Sequence, residues 1–179
     1  MSAKVTCFAA SSSRSSINKQ FVTYAAGLVE GAEVEILDLN DFELPLFSVD
    51  REAELGQPKL AQAFLDKIHN SDALIISFAE HNGCYSAAYK NLYDWTSRIE
   101  AKVYKDKRMV LLATSPGGRG GRSVLDLALA QIPRFGGDIR GSVSMPAFYD
   151  NFDSERAVVK NSTIDTEVRA ALKNLLIDD

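Results

Sequence analysis

Two continuous apolar runs constrain the fold of this chain more than any other feature. They are ALIISF, from Ala73 to Phe78, and MVLLA, from Met109 to Ala113. A strand with one face in water alternates apolar and polar residues, whereas a strand covered by helices on both faces is apolar throughout. The two runs therefore predict central strands of a parallel sheet.

Strand and helix patterns alternate along the rest of the chain. Further strands are predicted at Lys4 to Ala10, Val34 to Leu39 and Ile139 to Val143. Apolar residues at helical spacing predict a helix after the first strand, one at residues 57–70 and a closing one at residues 164–176. Five strand–helix units predict an α/β fold with right-handed crossovers. Ligands of such sheets bind at the carboxyl ends of the strands.

Composition narrows the class of protein. A chain of 179 residues with 46% hydrophobic residues predicts one domain over residues 1–179. The net charge of −4 argues against nucleic acid and anionic membrane surfaces as partners. No run approaches the roughly 20 apolar residues of a membrane span, so we expect a cytoplasmic protein. Cys7 and Cys84 lack metal-ligand spacing, and we expect reduced thiols and no metal site.

The loop after the first predicted strand reads SSSRSSIN, residues 11–18. It offers hydroxyl groups and one guanidinium immediately before a helix, where unpaired backbone N–H groups and the helix dipole attract a phosphate. A serine-rich N-cap, which suits any helix, accounts for the same residues. Because GxGxxG and GxxxxGK[ST] are both missing, a mononucleotide phosphate is favoured over a dinucleotide or a hydrolysed nucleotide.

The loop after Phe78 reads AEHNGCYS, residues 79–86. Its polar side chains can bind the edge of a heterocycle, and Gly83 allows close backbone approach to a flat ring. An alternative combines Glu80, His81 and Cys84 as acid, base and nucleophile. His81 is either a proton donor near a reduced ring or a solvated surface side chain.

The loop TSPGGRGG, residues 114–121, has four glycines in five positions. Close approach of a ligand to the backbone accounts for them, and a mobile surface turn with a solvated Arg119 is the alternative. Two irregular stretches remain, Asp41 to Gly56 and Met145 to Ser162. The first carries Phe42, Leu44, Leu46 and Phe47, which form either an oligomer contact or packing onto the chain's own core.

The three loops resemble motifs of the NADPH-dependent FMN reductase family. The family patterns GSxRxxSxN, PEYNGSxxxxLKNxxDW and SxGxxGG read SSSRSSIN, AEHNGCYSAAYKNLYDW and SPGGRGG here. The resemblance implies a flavodoxin-like three-layer fold, with a five-stranded parallel sheet of order 2-1-3-4-5 and helices on both faces. It also implies noncovalent FMN at the strand ends, NADPH or NADH as the electron donor, and a homodimer or homotetramer.

The resemblance also implies roles for individual residues. The FMN phosphate is contacted by Ser11, Ser13, Arg14, Ser16 and Asn18. The isoalloxazine ring is lined by Glu80, His81, Asn82 and Gly83 and flanked by Ser115, Gly117, Gly120 and Gly121. The matching residues that anchor the following helix are Lys90, Asn91, Asp94 and Trp95. No side chain is assigned as catalytic, because flavin carries the chemistry.

The expected function is transfer of hydride from NAD(P)H, through bound FMN, to a flavin, quinone or similar small acceptor. A flavodoxin that exchanges single electrons with a protein partner is the alternative, and KNLYDW favours the reductase because it resembles the reductase segment. A flavin-free structural or regulatory relative is a third possibility, since Ser11, Ala79 and His81 depart from the family pattern.

Overall fold

The structure, a computed structural model, describes residues 2–177 and alternates strands with helices. In chain order the strands are β1 (Ala3–Ala10), β2 (Ala32–Leu37), β3 (Ala73–Phe78), β4 (Glu80–His81), β5 (Cys84–Tyr85), β6 (Lys107–Thr114), β7 (Gly137–Met145), β8 (Phe152–Asp153) and β9 (Val158–Val159). The α-helices are α1 (Ile17–Gly27), α2 (Val49–Leu55), α3 (Lys59–His69), α4 (Ala87–Ile99), α5 (Arg122–Gln131), α6 (Phe148–Asn151) and α7 (Ser162–Lys173). Short 3-10 helices lie at Leu39–Phe42 and Ile132–Phe135.

The central sheet has five parallel strands in the order β2-β1-β3-β6-β7. Counted within the sheet this is the order 2-1-3-4-5, so the predicted flavodoxin-like topology is confirmed. The run ALIISF coincides with β3, and all six of its residues are buried. The register pairs Ala10 with Phe78 and Phe78 with Ala113, so β1, β3 and β6 end side by side. Three polar loops therefore leave the sheet at one edge.

Helices cover both faces of the sheet. Successive side chains of a strand point to opposite faces. Phe8, Ile76 and Leu111 accordingly belong to one hydrophobic cluster, together with residues of α3, α4 and α5. Cys7 and Ile75 belong to a second cluster, together with residues of α1 and α7. Burial on both faces accounts for the continuous apolar runs of the central strands.

Several predicted boundaries differ from the structure. The second strand covers Ala32–Leu37 instead of Val34 to Leu39, because this edge strand is largely exposed and its pattern is weak. The closing helix ends at Lys173, three residues before the predicted end at Leu176. The first irregular stretch contains α2, which has no buried residue and therefore no apolar periodicity to reveal it. The second contains α6 and the β8–β9 hairpin.

Helix α4 anchors the connection between β2 and α2. The amide of Asn91 donates to the carbonyls of Leu44 and Pro45 at 3.0 and 3.1 Å, and its Oδ1 accepts from the N–H of Phe47 at 2.8 Å. Trp95, whose side chain is buried, donates from Nε1 to the same Pro45 carbonyl at 2.8 Å. These contacts fix an irregular segment onto a regular helix.

No helix within residues 2–177 combines the length and the apolar character that crossing a membrane requires.

Candidate active site

A cleft of about 270 Å³ lies where β1, β3 and β6 end. Residues from the three loops that follow these strands line it, together with one residue of α6. The lining residues are Ser11, Ser13, Ser15, Ser16, Ile17, Asn18, Ala79, Glu80, His81, Thr114, Ser115, Pro116 and Tyr149. The fold thus brings together segments separated by up to 138 residues of sequence, from Ser11 to Tyr149.

The first loop presents unpaired backbone donors. In the part of the chain that the structure describes, the N–H groups of Ser12, Arg14, Ser15, Ile17 and Asn18 have no acceptor. Ile17 and Asn18 begin α1, whose dipole adds partial positive charge at this end. Unpaired N–H groups in a loop that leads into a helix N-terminus suit an anion.

Some serine hydroxyls of this loop accept hydrogen bonds from the backbone, and others are exposed to solvent. Ser16 Oγ caps α1 by accepting from the N–H of Lys19 at 3.2 Å, and Ser11 Oγ accepts from the N–H of Ser13 at 3.2 Å. Ser13 and Ser15 are exposed and line the cleft. Arg14 is also exposed, just outside the lining residues. The N-cap interpretation therefore holds for Ser16, while the rest of the loop retains free donors.

Asn18 connects α1 to two strands. Its Oδ1 accepts from Ser77 Oγ at 2.8 Å and from the N–H of Thr114 at 3.1 Å, and its Nδ2 donates to the Thr114 carbonyl at 3.1 Å. The side chain is 3% exposed. These bonds hold the first and third loops at a fixed separation, so the structure shows a positioning contribution for a residue that the sequence placed on the phosphate.

The second loop is a tight antiparallel hairpin, with β4 and β5 joined by Asn82 and Gly83. Both turn residues have positive φ, 52° and 79°, as a type I′ turn requires. A Cβ on Gly83 would meet only Ser123 Cβ, at 4.0 Å. Its glycine is thus needed for the backbone conformation, and the hairpin presents His81 and Cys84 as exposed side chains.

Glu80 ties this hairpin to α5. Its Oε2 accepts from the N–H of Val124 at 3.0 Å, in the first turn of that helix. The N-cap of α5 is Gly121, which has no side chain to cap the helix, so Glu80 supplies the acceptor from another loop. The carboxylate therefore positions the hairpin against α5 and balances the positive end of that helix dipole.

The glycines of the third loop fall into two pairs. Gly120 and Gly121 are buried, with φ of 60° and 72°. A Cβ on Gly120 would lie 2.5 Å from Ser144 Oγ and 2.7 Å from the backbone nitrogen of Pro146. A Cβ on Gly121 would lie 3.1 Å from Ala113 Cβ, so close approach to the ends of β7 and β6 accounts for this pair. Gly117 and Gly118 are exposed and would meet no atom within 4 Å.

One lining residue lies outside the three predicted loops. Tyr149 is 66% exposed and belongs to α6, within a stretch that was predicted to be irregular. Its segment is attached to the third loop, because the N–H groups of Ala147 and Phe148 donate to the carbonyls of Gly117 and Ser115 at 2.9 and 3.1 Å. An aromatic residue shortly after the last strand of the sheet was the only available signal.

The structure thus brings seven predicted site residues into the cleft lining: Ser11, Ser13, Ser16, Asn18, Glu80, His81 and Ser115. The other six lie beside it without lining it: Arg14, Asn82, Gly83, Gly117, Gly120 and Gly121. Each member of the second group belongs to one of the three loops. Their contacts with a cofactor stay predictions.

The comparison with known proteins decides the family. A family model described as NADPH-dependent FMN reductase matches residues 3–144. The chain belongs to the NADPH-dependent FMN reductase family. It is therefore an oxidoreductase, and the expected cofactors, FMN with NADPH or NADH, are confirmed at the level of this family.

Individual relatives agree with the family. The chain is 30% identical over 160 residues to an NADPH:quinone oxidoreductase of Arabidopsis thaliana, covering 83% of this chain and 74% of the relative. It is 26% identical over 188 residues to a 2-hydroxy-1,4-benzoquinone reductase of a Burkholderia species, covering 98% and 93%. Among solved structures, the flavoenzyme NAD(P)H:acceptor oxidoreductase FerB of Paracoccus denitrificans superposes with a TM-score of 0.75 at 23% identity, covering 97% of each chain. The last likeness shows the shared fold.

The cleft of this FMN reductase family member fits a flavin mononucleotide on its own chemistry. Five unpaired N–H groups and Arg14 suit the phosphate dianion at one end. The one carboxylate among the lining residues, that of Glu80, is already bonded to the N–H of Val124. The open backbone at Gly117 and Gly118 leaves room for a planar group beside the third loop.

Proposed function

We propose that the three-loop cleft binds FMN and that the enzyme transfers hydride from NAD(P)H to a small flavin or quinone acceptor. The observation that carries the proposal is the set of unpaired N–H groups in residues 12–18, a loop that lines the same cleft as Glu80 and His81 of the β4–β5 hairpin. When bound, FMN supplies the redox chemistry, and the protein supplies binding and orientation.

The proposed residue roles follow from the contacts that each side chain makes. Arg14 and the N–H groups of the first loop hold the phosphate. Asn18 and Glu80 instead position the loops through their hydrogen bonds to Thr114 and Val124. The turn at Asn82 and Gly83 and the backbone at Gly117 and Gly118 flank the ring. His81, exposed beside this position, is available to donate a proton.

Quinones and flavins are the acceptor classes that we propose, because two relatives over most of this chain carry quinone reductase names. Tyr149, exposed at the cleft, suits planar acceptors, since aromatic side chains stack on planar ligands. Donor and acceptor then share one position and bind in turn.

The test is an anaerobic panel of acceptors with FMN-loaded protein. NADPH and NADH oxidation is measured against free FMN, riboflavin, a benzoquinone, a naphthoquinone and a one-electron acceptor protein. We expect turnover with the small acceptors and parallel double-reciprocal lines, the pattern of alternating binding. Turnover with the one-electron protein alone would contradict hydride transfer to small acceptors.

We also propose a homodimer or homotetramer. Phe42, Leu44 and Phe47 are half-buried against the chain's own core and α4, as one of the two sequence interpretations expected. Leu46 and Val49 stay 75% and 71% exposed on the same segment, and they are the proposed contact. Sedimentation velocity of the wild type and of Leu46→Glu checks this, with dissociation expected for the variant and an unchanged mass contradicting it.

A further inference from the structure

Arg119 is the one charged residue of the third loop, and the proposed function gives it no role. Its side chain is exposed, but the guanidinium has a partner in the chain. Nη2 of Arg119 donates to Ser123 Oγ at 3.0 Å, and Ser123 lies in the first turn of α5. The bond directs the side chain toward the start of this helix, so Arg119 is more than a solvated residue of a surface turn.

Ser123 also adjoins the turn of the β4–β5 hairpin. A Cβ placed on Gly83 would have Ser123 Cβ as its nearest neighbour, at 4.0 Å. One side chain therefore separates the Arg119 guanidinium from the turn at Asn82 and Gly83. The third loop and this turn are the two segments that we propose to flank the flavin ring. Arg119 belongs to the first of them and reaches toward the second.

The charge of Arg119 has no counter-ion in the chain. It forms no ion pair with any residue in the range 2–177, whereas Arg122, three positions later, pairs with Asp126 at 2.8 Å. The carboxylate of Glu80 is bonded to the N–H of Val124 instead. An uncompensated positive charge thus lies beside the proposed position of the ring.

Reduction changes the charge of a flavin ring. Hydride transfer from NAD(P)H adds two electrons and one proton to FMN and leaves NAD(P)⁺, so the ring gains one negative charge. A positive charge nearby stabilises the reduced ring and has little effect on the neutral oxidised ring. A group with this differential interaction raises the midpoint potential of the bound flavin.

We propose that Arg119 raises the midpoint potential of bound FMN by stabilising the negative charge that the ring acquires on reduction. The inference rests on the proposed function, because it requires FMN with its ring between the third loop and the β4–β5 hairpin. A higher potential favours electron uptake from NAD(P)H. For the onward step it favours quinones, whose potentials lie above that of free flavin.

The test compares wild type with Arg119→Gln, Arg119→Lys and the control Arg122→Gln. The control removes the same charge from the same segment, but from a guanidinium that Asp126 already neutralises. All variants keep Glu80, so its carboxylate cancels from the comparison. Circular dichroism establishes folding, and a titration with oxidised FMN gives its affinity. The midpoint potential is then measured anaerobically against a reference dye, with protein in excess over FMN, at low salt and in 1 M NaCl.

We expect Arg119→Gln to bind oxidised FMN as wild type does and to lose about three- to fivefold in affinity for reduced FMN, because an exposed charge pair is worth this much. For a two-electron couple this corresponds to a midpoint potential about 15–20 mV more negative. Arg119→Lys and Arg122→Gln should stay close to wild type. The difference should shrink in 1 M NaCl, where charges are screened beyond about 3 Å.

Equal midpoint potentials for wild type and Arg119→Gln would overturn the proposal. This includes the case in which Arg119 only holds the loops, since both oxidation states of FMN would then be weakened equally and Arg119→Lys would not restore affinity. A raised KM for NADPH at an unchanged potential would assign the charge to the electron donor and also overturn it. Absence of FMN binding to wild type is read before any potential is measured, and it would refute the proposed function together with this inference.

Discussion

The first and third loops of the cleft look alike in sequence, since both are short, polar and rich in small residues, yet the structure uses them differently. The first loop leaves five backbone N–H groups without acceptors. The third directs its buried glycines, Gly120 and Gly121, against β6 and β7. The first loop thus keeps free donors, whereas two of the four glycines of the third loop are packed against the protein's own strands.

The difference between the two loops distinguishes motifs that bind a ligand from motifs that stabilise the fold. A motif that contacts a ligand keeps polar groups unsatisfied in the protein alone, whereas a motif that builds the scaffold has already satisfied them. By this criterion Asn18 and Glu80 belong with the scaffold, although they lie within the loops that form the cleft. Each of the following variants tests one side of the division.

The largest expected effect is that of Gly120→Ala. The new Cβ would enter a space bounded by Ser144 and Pro146 at a φ of +60°, so we expect a loss of about 2–5 kcal/mol in the free energy of unfolding. Gly117→Ala is the matched control, because its Cβ would meet nothing within 4 Å. Urea unfolding measures both. Similar stabilities for the two variants would contradict the division of the glycines into packed and open pairs.

Asn18→Ala should rank second. It removes the buried bonds of Asn18 to Ser77 Oγ and to the N–H and carbonyl of Thr114, and we expect a loss of about 2–4 kcal/mol in unfolding free energy. The exposed Asn40→Ala is the control, expected within about 0.5 kcal/mol of wild type. If Asn18→Ala lost FMN affinity and kept wild-type stability, Asn18 would be a phosphate ligand and not a positioning residue.

Arg14→Ala should show the opposite behaviour. Its side chain is exposed, so we expect unchanged stability. Loss of a charge-assisted contact of about 1.5–3 kcal/mol should weaken FMN at least about tenfold while riboflavin, which lacks the phosphate, binds as before. Calorimetric titration with both ligands measures this difference. If FMN and riboflavin were weakened equally, the assignment of the phosphate site to the first loop would be wrong.

The smallest effect is expected for Cys84→Ser. Cys84 is an exposed residue of β5, and flavin chemistry needs no thiolate, so NAD(P)H oxidation should stay close to wild type. A nucleophilic cysteine would instead lose activity by orders of magnitude. Steady-state rates are compared at matched flavin occupancy, since a packing change near Gly83 can release FMN. A collapse at full occupancy would make Cys84 a participant.

The sequence was sufficient for the topology. The central strands are apolar because both faces are covered, and that pattern is local, so β3 could be placed to the residue. The weakly patterned edge strand β2 and the exposed helix α2 bury little, so the bounds of β2 were wrong and α2 was not predicted. Sequence periodicity therefore predicts buried elements well and exposed elements poorly.

The site was predicted as three loops but not as a set of contacts. Asn18 bonds to residues 59 and 96 positions away, and Glu80 to one 44 positions away, and no local pattern carries such partners. The glycines of the third loop were interpreted from their number, whereas the structure distinguishes them by what lies beside each Cβ position. Tyr149 was missed because it follows the last strand of the sheet in a segment without periodicity.

The most direct test of the account is a two-dimensional ¹H–¹⁵N NMR titration of the protein with FMN and, separately, with riboflavin. If the unpaired N–H groups of the first loop hold the phosphate, the amide signals of Ser12, Arg14, Ser15 and Ile17 should shift with FMN, saturate at one equivalent per chain, and respond much less to riboflavin. Signals of the β4–β5 hairpin should shift with both ligands. Saturable shifts located away from these loops, or no saturable shifts at all, would contradict FMN binding in this cleft.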